Sequence, residues 1–276
     1  MTIELFYIVI LVLTGMLVGF TTGLLGLGGG FIMVPILFFL LENLGVDSTL
    51  AIRMAFGTSL AAILPTALSS SYGHYRKHEV ILKAAMIMGI FGFGGALIGG
   101  YISAHTPGDI LKIIFALILL LVALRMLIFK EPTDKKEKRD NLMLFIVWGV
   151  IAGVTSGLVG IGGGVILIPV MVLLFGFNMV EAAGTSSAFI VLTSLGGILS
   201  YISSGLNMSG LPPYSLGYIN LLQLVMIIGC SIPMAQFGTW AAHRLPEKQL
   251  RYIFVILLIF ISFKMLGVFG LLGLPL

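Results

Sequence analysis

The sequence predicts an all-α polytopic membrane protein made of two homologous halves, each of about five helical segments. Three observations carry that expectation. Of the 276 residues, 59% are hydrophobic and only 9% charged, with a mean hydropathy of +1.15, whereas soluble domains carry about 25% charged residues. The apolar residues gather into segments near 5–25, 31–41, 49–73, 80–104 and 109–129, then near 142–160, 165–177, 182–203, 219–241 and 248–270. The second set also repeats the first in its residues.

That repeat runs without gaps over its clearest stretch. "GMLVGFTTGLLGLGGGFIMVP" (15–35) aligns on "GVIAGVTSGLVGIGGGVILIP" (149–169), matching every glycine, Thr21 with Thr155 and Pro35 with Pro169. "AFGTS" (55–59) matches "AAGTS" (182–186), and "PGDILKIIFALILLLVALRML" (107–127) parallels "PEKQLRYIFVILLIFISFKML" (246–266), pairing Lys112 with Arg251 and Arg125 with Lys264. Internal duplication of this kind is common in transporters. The one extended charged stretch, "KEPTDKKEKRDN", separates the copies, so the expected division is a transmembrane repeat over 1–129, a charged cytoplasmic linker over 130–141 and a second repeat over 142–276.

Charge placement orients the segments. Lys and Arg favour cytoplasmic loops, which puts Arg76, Lys77 and Lys83, the group from Arg125 to Arg139, and Arg244, Lys248 and Arg251 inside. The loop after the third segment is then basic in the first half, while its counterpart "SSGLNMSGLPPYSLGY" (203–218) has no charge; the next loop shows the opposite bias. Inverted repeats follow, each with an odd number of crossings and both termini outside. A parallel four-plus-four layout is the alternative, at the cost of a basic loop outside. Two crossings or a re-entrant hairpin for the first segment and its short partner both preserve the odd count.

Composition also removes other classes. The net charge of +4 comes from residues between apolar segments, so a nucleic-acid partner is not expected. Cys230 has no second thiol for a disulfide or metal cluster and reads as packing. No Lys or Arg precedes Arg53, so residues 5–25 lack the basic head of a signal peptide and are expected to be retained. No P-loop ending, full dinucleotide spacing, "HExxH" helix or acid pair is present, so neither cofactor, metal nor enzymatic chemistry is expected.

Within "TGLLGLGGGFIMVPIL" (22–37) a greasy run breaks into bare backbone. A spanning helix needs about 20 apolar residues, and the run ending at Leu41 is much shorter, so it reads as a half-helix starting at Pro35, with Pro169 its counterpart and residues 26–34 partly unwound. Non-helical backbone at membrane depth must be surrounded by protein or line a water-filled cavity, and helix N-termini attract anions. Gly28, Gly29 and Gly30 with Gly162, Gly163 and Gly164 therefore form the candidate anion cradle. Gly15, Gly19 and Gly23, with Gly149, Gly153 and Gly157, are spaced for close helix packing instead.

Two copies of "GLxGxGGGxxxxP", each followed by a "GTS" helix, resemble the TauE/SafE family of sulfite and organosulfonate exporters over nearly the whole chain. The resemblance implies transport of a small sulfur-containing anion, such as sulfite, sulfoacetate or a related organosulfonate. Thr58, Ser59, Thr185, Ser186 and Ser187, one to two turns into apolar helices, could then donate hydroxyls to sulfonate oxygens, or bond their own helix or a neighbour. Gln236 is a further uncharged donor. Arg53, near a helix start capped by Asp47 or Ser48, is read as attracting anions at the pathway entrance, with a snorkelling or Asp47-paired structural role as the alternative.

Glu181, three residues after Asn178, has capping-box spacing. All eleven acids lie near segment ends or in loops, and His74, His105 and His243 lie at boundaries, where they read as interfacial anchors. A membrane potential suffices to drive anion export, so uniport and proton coupling both remain open. An anion channel or a scaffold without transport activity are the alternatives to a carrier. The lipid bilayer and a small anion are the expected partners, and a homo-oligomer is compatible with the sequence.

Overall fold

The computed structural model describes residues 2–128, 139–242 and 247–268. Ten helices account for nearly all of them: α1 (Thr2–Leu25), α2 (Gly30–Asn43), α3 (Ser48–Tyr75), α4 (Leu82–His105), α5 (Gly108–Ile128), α6 (Leu142–Val159), α7 (Gly164–Leu173), α8 (Met179–Gly205), α9 (Leu221–Ala241) and α10 (Glu247–Met265). Six of these among the described residues, α3, α4, α6, α8, α9 and Leu5–Leu25 of α1, are long and apolar enough to span a membrane. The chain is an all-α polytopic membrane protein. Most of the charged stretch at 130–141, and His243 and Arg244 of the third basic loop, lie outside the described residues.

Local signals explain the helix starts. The Asp47 carboxylate accepts from the N–H groups of Thr49 and Leu50 at the head of α3. Asn141 does the same for Met143 and Leu144 at α6. Asn178 and Glu181 form the capping box expected of them, at 2.8 and 3.1 Å, each bond satisfying an N–H at the helix start that has no intrahelical partner. The stretch expected to start a helix at 219 instead begins with a strand, Ile219–Asn220 (β2), paired antiparallel to Ser215–Leu216 (β1). Asn220 then caps α9 through the Gln223 N–H.

The short helices fold back on the long ones before them. Tyr7 near the start of α1 and Leu44 to Asp47 after α2 line one groove. At the other hairpin, the Arg139 N–H bonds to the Phe175 carbonyl at 3.0 Å and the rings of Phe145 and Phe175 meet edge-on at 4.8 Å. Lys83, ion-paired to Asp140, marks that second location. Asp47 precedes α3 and Lys83 follows it, and a helix of 28 residues spans roughly 40 Å, so the two hairpins open toward opposite ends of the molecule. In each half a membrane-length helix is thus followed by a short one that folds back along it.

The two halves interlock through small residues. A β-carbon at Gly15, Gly19 or Gly23 of α1 would stand 2.6, 2.2 or 2.0 Å from the carbonyls of Ile227, Ser231 or Ala235 in α9; at Gly149, Gly153 or Gly157 of α6 it would stand 2.6, 2.2 or 2.1 Å from those of Met88, Gly92 or Ala96 in α4. Lipid tails are as apolar as leucine, so close backbone approach rather than the hydrophobic effect drives such association. Cys230 packs within this α1–α9 seam, beside Gly15. Outside it, Ile90, Ile98, Leu117, Leu121 and Val225 remain exposed, as suits helix faces toward lipid. Inside lie α2, α3, α7 and α8, with Phe31, Phe56 and Phe189 fully buried.

Replacing Gly19 or Gly153 by valine is expected to destabilise the protein by about 3 kcal/mol or more, because backbone rather than a flexible side chain must move. Thermal unfolding in detergent micelles checks this; an exposed substitution such as Leu121→Val serves as the reference and should leave the midpoint unchanged.

Candidate functional site

Three glycines in each break occupy the left-handed region: Gly26, Gly28 and Gly29 at φ of 66°, 83° and 69°, and Gly160, Gly162 and Gly163 at 68°, 89° and 78°. Residues with a β-carbon rarely adopt that geometry, which is why the hairpin turns are written in glycine. Gly29 and Gly163 then cap the half-helices, their carbonyls each accepting two N–H groups, from Ile32 and Met33 and from Ile166 and Leu167. Consequently α2 and α7 start at Gly30 and Gly164, not at the prolines, and the unwound backbone is confined to 26–29 and 160–163. Pro35 and Pro169 lie in the second turn, where a missing N–H removes a single ladder bond.

The breaks meet in the buried centre. A β-carbon at Gly30 would be 2.6 Å from the Gly160 carbonyl and one at Gly164 would be 2.6 Å from that of Gly26. Each break is held by the GTS helix of the other half: the Ser59 hydroxyl of α3 donates to the Gly160 carbonyl and the Ser186 hydroxyl of α8 to the Gly26 carbonyl, both at 2.9 Å. The neighbouring threonines act reciprocally on the chain entering the next helix. Thr58 Oγ1 accepts the Asn220 N–H at 2.9 Å before α9, and Thr185 Oγ1 accepts the Ile81 N–H at 3.0 Å before α4. All four side chains are fully buried. Thr193 adds a bond to the Gly162 carbonyl.

The remaining expected residues divide. Thr58 and Ser59 sit about three turns into α3, deeper than the spacing suggested, while Thr185 to Ser187 lie about two turns into α8. Ser187 bonds the Ala183 carbonyl of its own helix and meets the Ser70 hydroxyl at 2.9 Å. Gln236 stands apart from the breaks, exposed in a groove with Pro65, Tyr72 and Ile232, its amide donating to Ser69. Arg53 is half-buried and has no carboxylate partner among the described residues. Its Nη2 donates to the Thr106 carbonyl at 3.0 Å, its guanidinium lies 5.9 Å over the Tyr218 ring, and its buried Nε has no hydrogen-bond partner. Asp47 instead caps α3, so the Asp47-paired alternative for Arg53 does not form.

His74 is a correction. It is fully buried rather than interfacial, with Nε2 3.0 Å from the Gly23 carbonyl, because its side chain packs between α1 and Gly184 of α8. Extending the GTS alignment brings His74 onto Tyr201, whose hydroxyl donates to the Gly157 carbonyl at 2.9 Å and meets the Ser103 hydroxyl at 2.8 Å. Gly23 and Gly157 are themselves matched in the repeat. That register was the available signal for both residues.

Residues 11–265 match the family model described as Sulfite exporter TauE/SafE. The chain belongs to this family. Among relatives, it is 30% identical over 259 residues to a "Probable membrane transporter protein" of Haemophilus influenzae, covering 94% of this chain and 98% of that one. It is 32% identical to one from Methanocaldococcus jannaschii, covering 88% and 89%, and 28% identical to another from Bacillus subtilis, covering 95% and 99%. No solved structure matches. With its six candidate spans, this TauE/SafE member is a multi-pass membrane transporter, so a buried polar centre between its halves is the first place to look for substrate chemistry.

Ser59→Ala and Ser186→Ala should each cost about 1–3 kcal/mol, since each leaves a buried carbonyl without its donor. Melting curves of the single and double variants measure it. A hydroxyl with no structural task would leave the midpoint unmoved.

Proposed function

We propose that the protein carries a small sulfur-containing oxyanion, of the sulfite, sulfoacetate or related organosulfonate class, out of the cell by alternating access. The observation that carries the reading is the meeting of the two glycine breaks, each held by a serine hydroxyl from the opposite half. Two half-helix N-termini, α2 at Gly30 and α7 at Gly164, bring their positive dipole ends to this buried centre, where a negative charge is favoured. Gly28, Gly29 and Gly30 with Gly162, Gly163 and Gly164 supply backbone N–H groups. The hydroxyls of Thr58, Ser59, Thr185 and Ser186 hold the cradle and are the nearest groups able to turn toward an oxyanion when the halves move.

Inverted repeats, 1–129 and 142–276 around the charged linker, fit this cycle. Support comes from hairpins that open toward opposite ends of α3, and from Arg76, Lys77 and Lys83 gathering at the end away from Asp47. With that end cytoplasmic, Arg53 lies toward the outer face, its uncompensated guanidinium drawing anions to the pathway mouth. An inside-negative potential favours anion exit by about 2.3 kcal/mol per charge per 100 mV.

Uptake of radiolabelled sulfite, sulfoacetate and taurine into proteoliposomes with an imposed potential tests the reading. Saturable flux of one sulfur anion is expected, reduced about tenfold or more in a folded Ser59→Ala, Ser186→Ala double variant. Undiminished flux in that variant would remove the serines from the pathway; absence of any flux would remove the substrate class. Arg53→Gln is expected to raise the apparent KM about tenfold at low ionic strength while leaving the maximal rate nearly unchanged, and added salt should erase the difference.

A further inference from the structure

Between the two breaks stand Ile63 of α3 and Ile190 of α8, both fully buried. A β-carbon at Gly28 would lie 3.3 Å from Ile190 Cδ1 and 3.6 Å from Ile63 Cγ2. At Gly162 the distances are 3.2 Å to Ile190 Cγ2 and 3.5 Å to Ile63 Cγ2. Each isoleucine also reaches the glycine that opens a half-helix, Ile63 Cδ1 at 3.0 Å from such a carbon at Gly30 and Ile190 Cδ1 at 2.7 Å at Gly164. Each follows the GTS serine of its own helix by four residues, and so lies on the same helix face as the hydroxyl that holds the opposite break. Two stretches of bare backbone leave a gap at their meeting point. These two side chains fill it.

We propose that Ile63 and Ile190 form the constriction of the transport pathway and set the size of the oxyanion that passes. The inference rests on the reading that the glycine breaks hold the anion, and it assigns to apolar residues the selection that the polar groups cannot make. Backbone N–H groups and hydroxyls recognise any sulfite or sulfonate head alike, whereas a longer sulfonate differs by the carbon chain it must bring through. A β-branched side chain in a helix has essentially one χ1 state, so the gap widens only when α3 and α8 move relative to each other. One member of the pair comes from each half, so the motion that exchanges access also opens the constriction. While shut, the apolar pair excludes water from the centre.

Two measurements in proteoliposomes test this. In Ile63→Ala, Ile190→Ala protein, the ratio of sulfoacetate to sulfite flux is expected to rise about tenfold, the scale on which an added or removed methylene discriminates in an apolar pocket. An Ile63→Val, Ile190→Val variant, which leaves a smaller void should the alanine pair fail to fold, shifts the ratio in the same direction by less. A ratio unchanged in a folded variant overturns the constriction. Independently of any substrate, Ile63→Cys or Ile190→Cys in a Cys230→Ala background should react with a charged methanethiosulfonate reagent as the transporter cycles. Thiols that stay unreactive overturn the proposal. Reactive thiols in a protein that moves no sulfur anion uphold a water-accessible constriction and count against the substrate class alone.

Discussion

A carbonyl buried at membrane depth has no water to accept from, and the rest of this molecule is arranged around that constraint at Gly26 and Gly160. Each terminates a helix in a left-handed turn and would be left with an orphaned oxygen worth several kcal/mol in hydrocarbon. The donor comes in each case from the opposite half, Ser186 for Gly26 and Ser59 for Gly160. Neither half can satisfy its own break, so the hairpins, the GTS helices and the pairing of the halves are one cooperative unit. The same logic recurs one residue earlier, where Thr58 and Thr185 receive the N–H groups of Asn220 and Ile81, and farther out, where His74 and Tyr201 reach the carbonyls of Gly23 and Gly157.

Close approach makes those reciprocal bonds attainable. Hydroxyls of serine and threonine are short, so α3 and α8 must bring their backbones almost against the breaks. Glycine stripes on α1 and α6 let α9 and α4 pack on them without intervening side chains, so that each hairpin is held by a helix of the other half. The resulting centre is rich in dipoles but free of fixed carboxylates among the described residues. In the proposed reading such a centre would hold an anion through many weak, neutral donors rather than through a permanent ion pair, which favours release as well as capture. The half-buried guanidinium of Arg53, which has no acid partner among the described residues, lies on α3 about a turn and a half before the serine that holds the break.

What the sequence by itself determined was the class and the parts. Segment number, the membrane setting, the repeat, the packing glycines, the Asn178–Glu181 cap and the breaks were all readable, since each is a local signal of composition, period or spacing. From sequence the half-helix starts at Pro35, because proline is a familiar first-turn residue; in the structure it starts at Gly30, because a left-handed Gly29 presents its carbonyl first. Gln236 was indistinguishable from a site donor in the sequence, as both are polar residues in apolar helices, and only helix rotation directs it into a groove facing away from the breaks. His74 looked interfacial from its place near a segment end. What only the tertiary structure decided was who meets whom: Ser59 with Gly160, Ser186 with Gly26, and Ile63 with Ile190 between them. These partners lie about a hundred residues or more apart, and their meeting depends on how two interlocked halves rotate against each other, which no local pattern in the chain encodes.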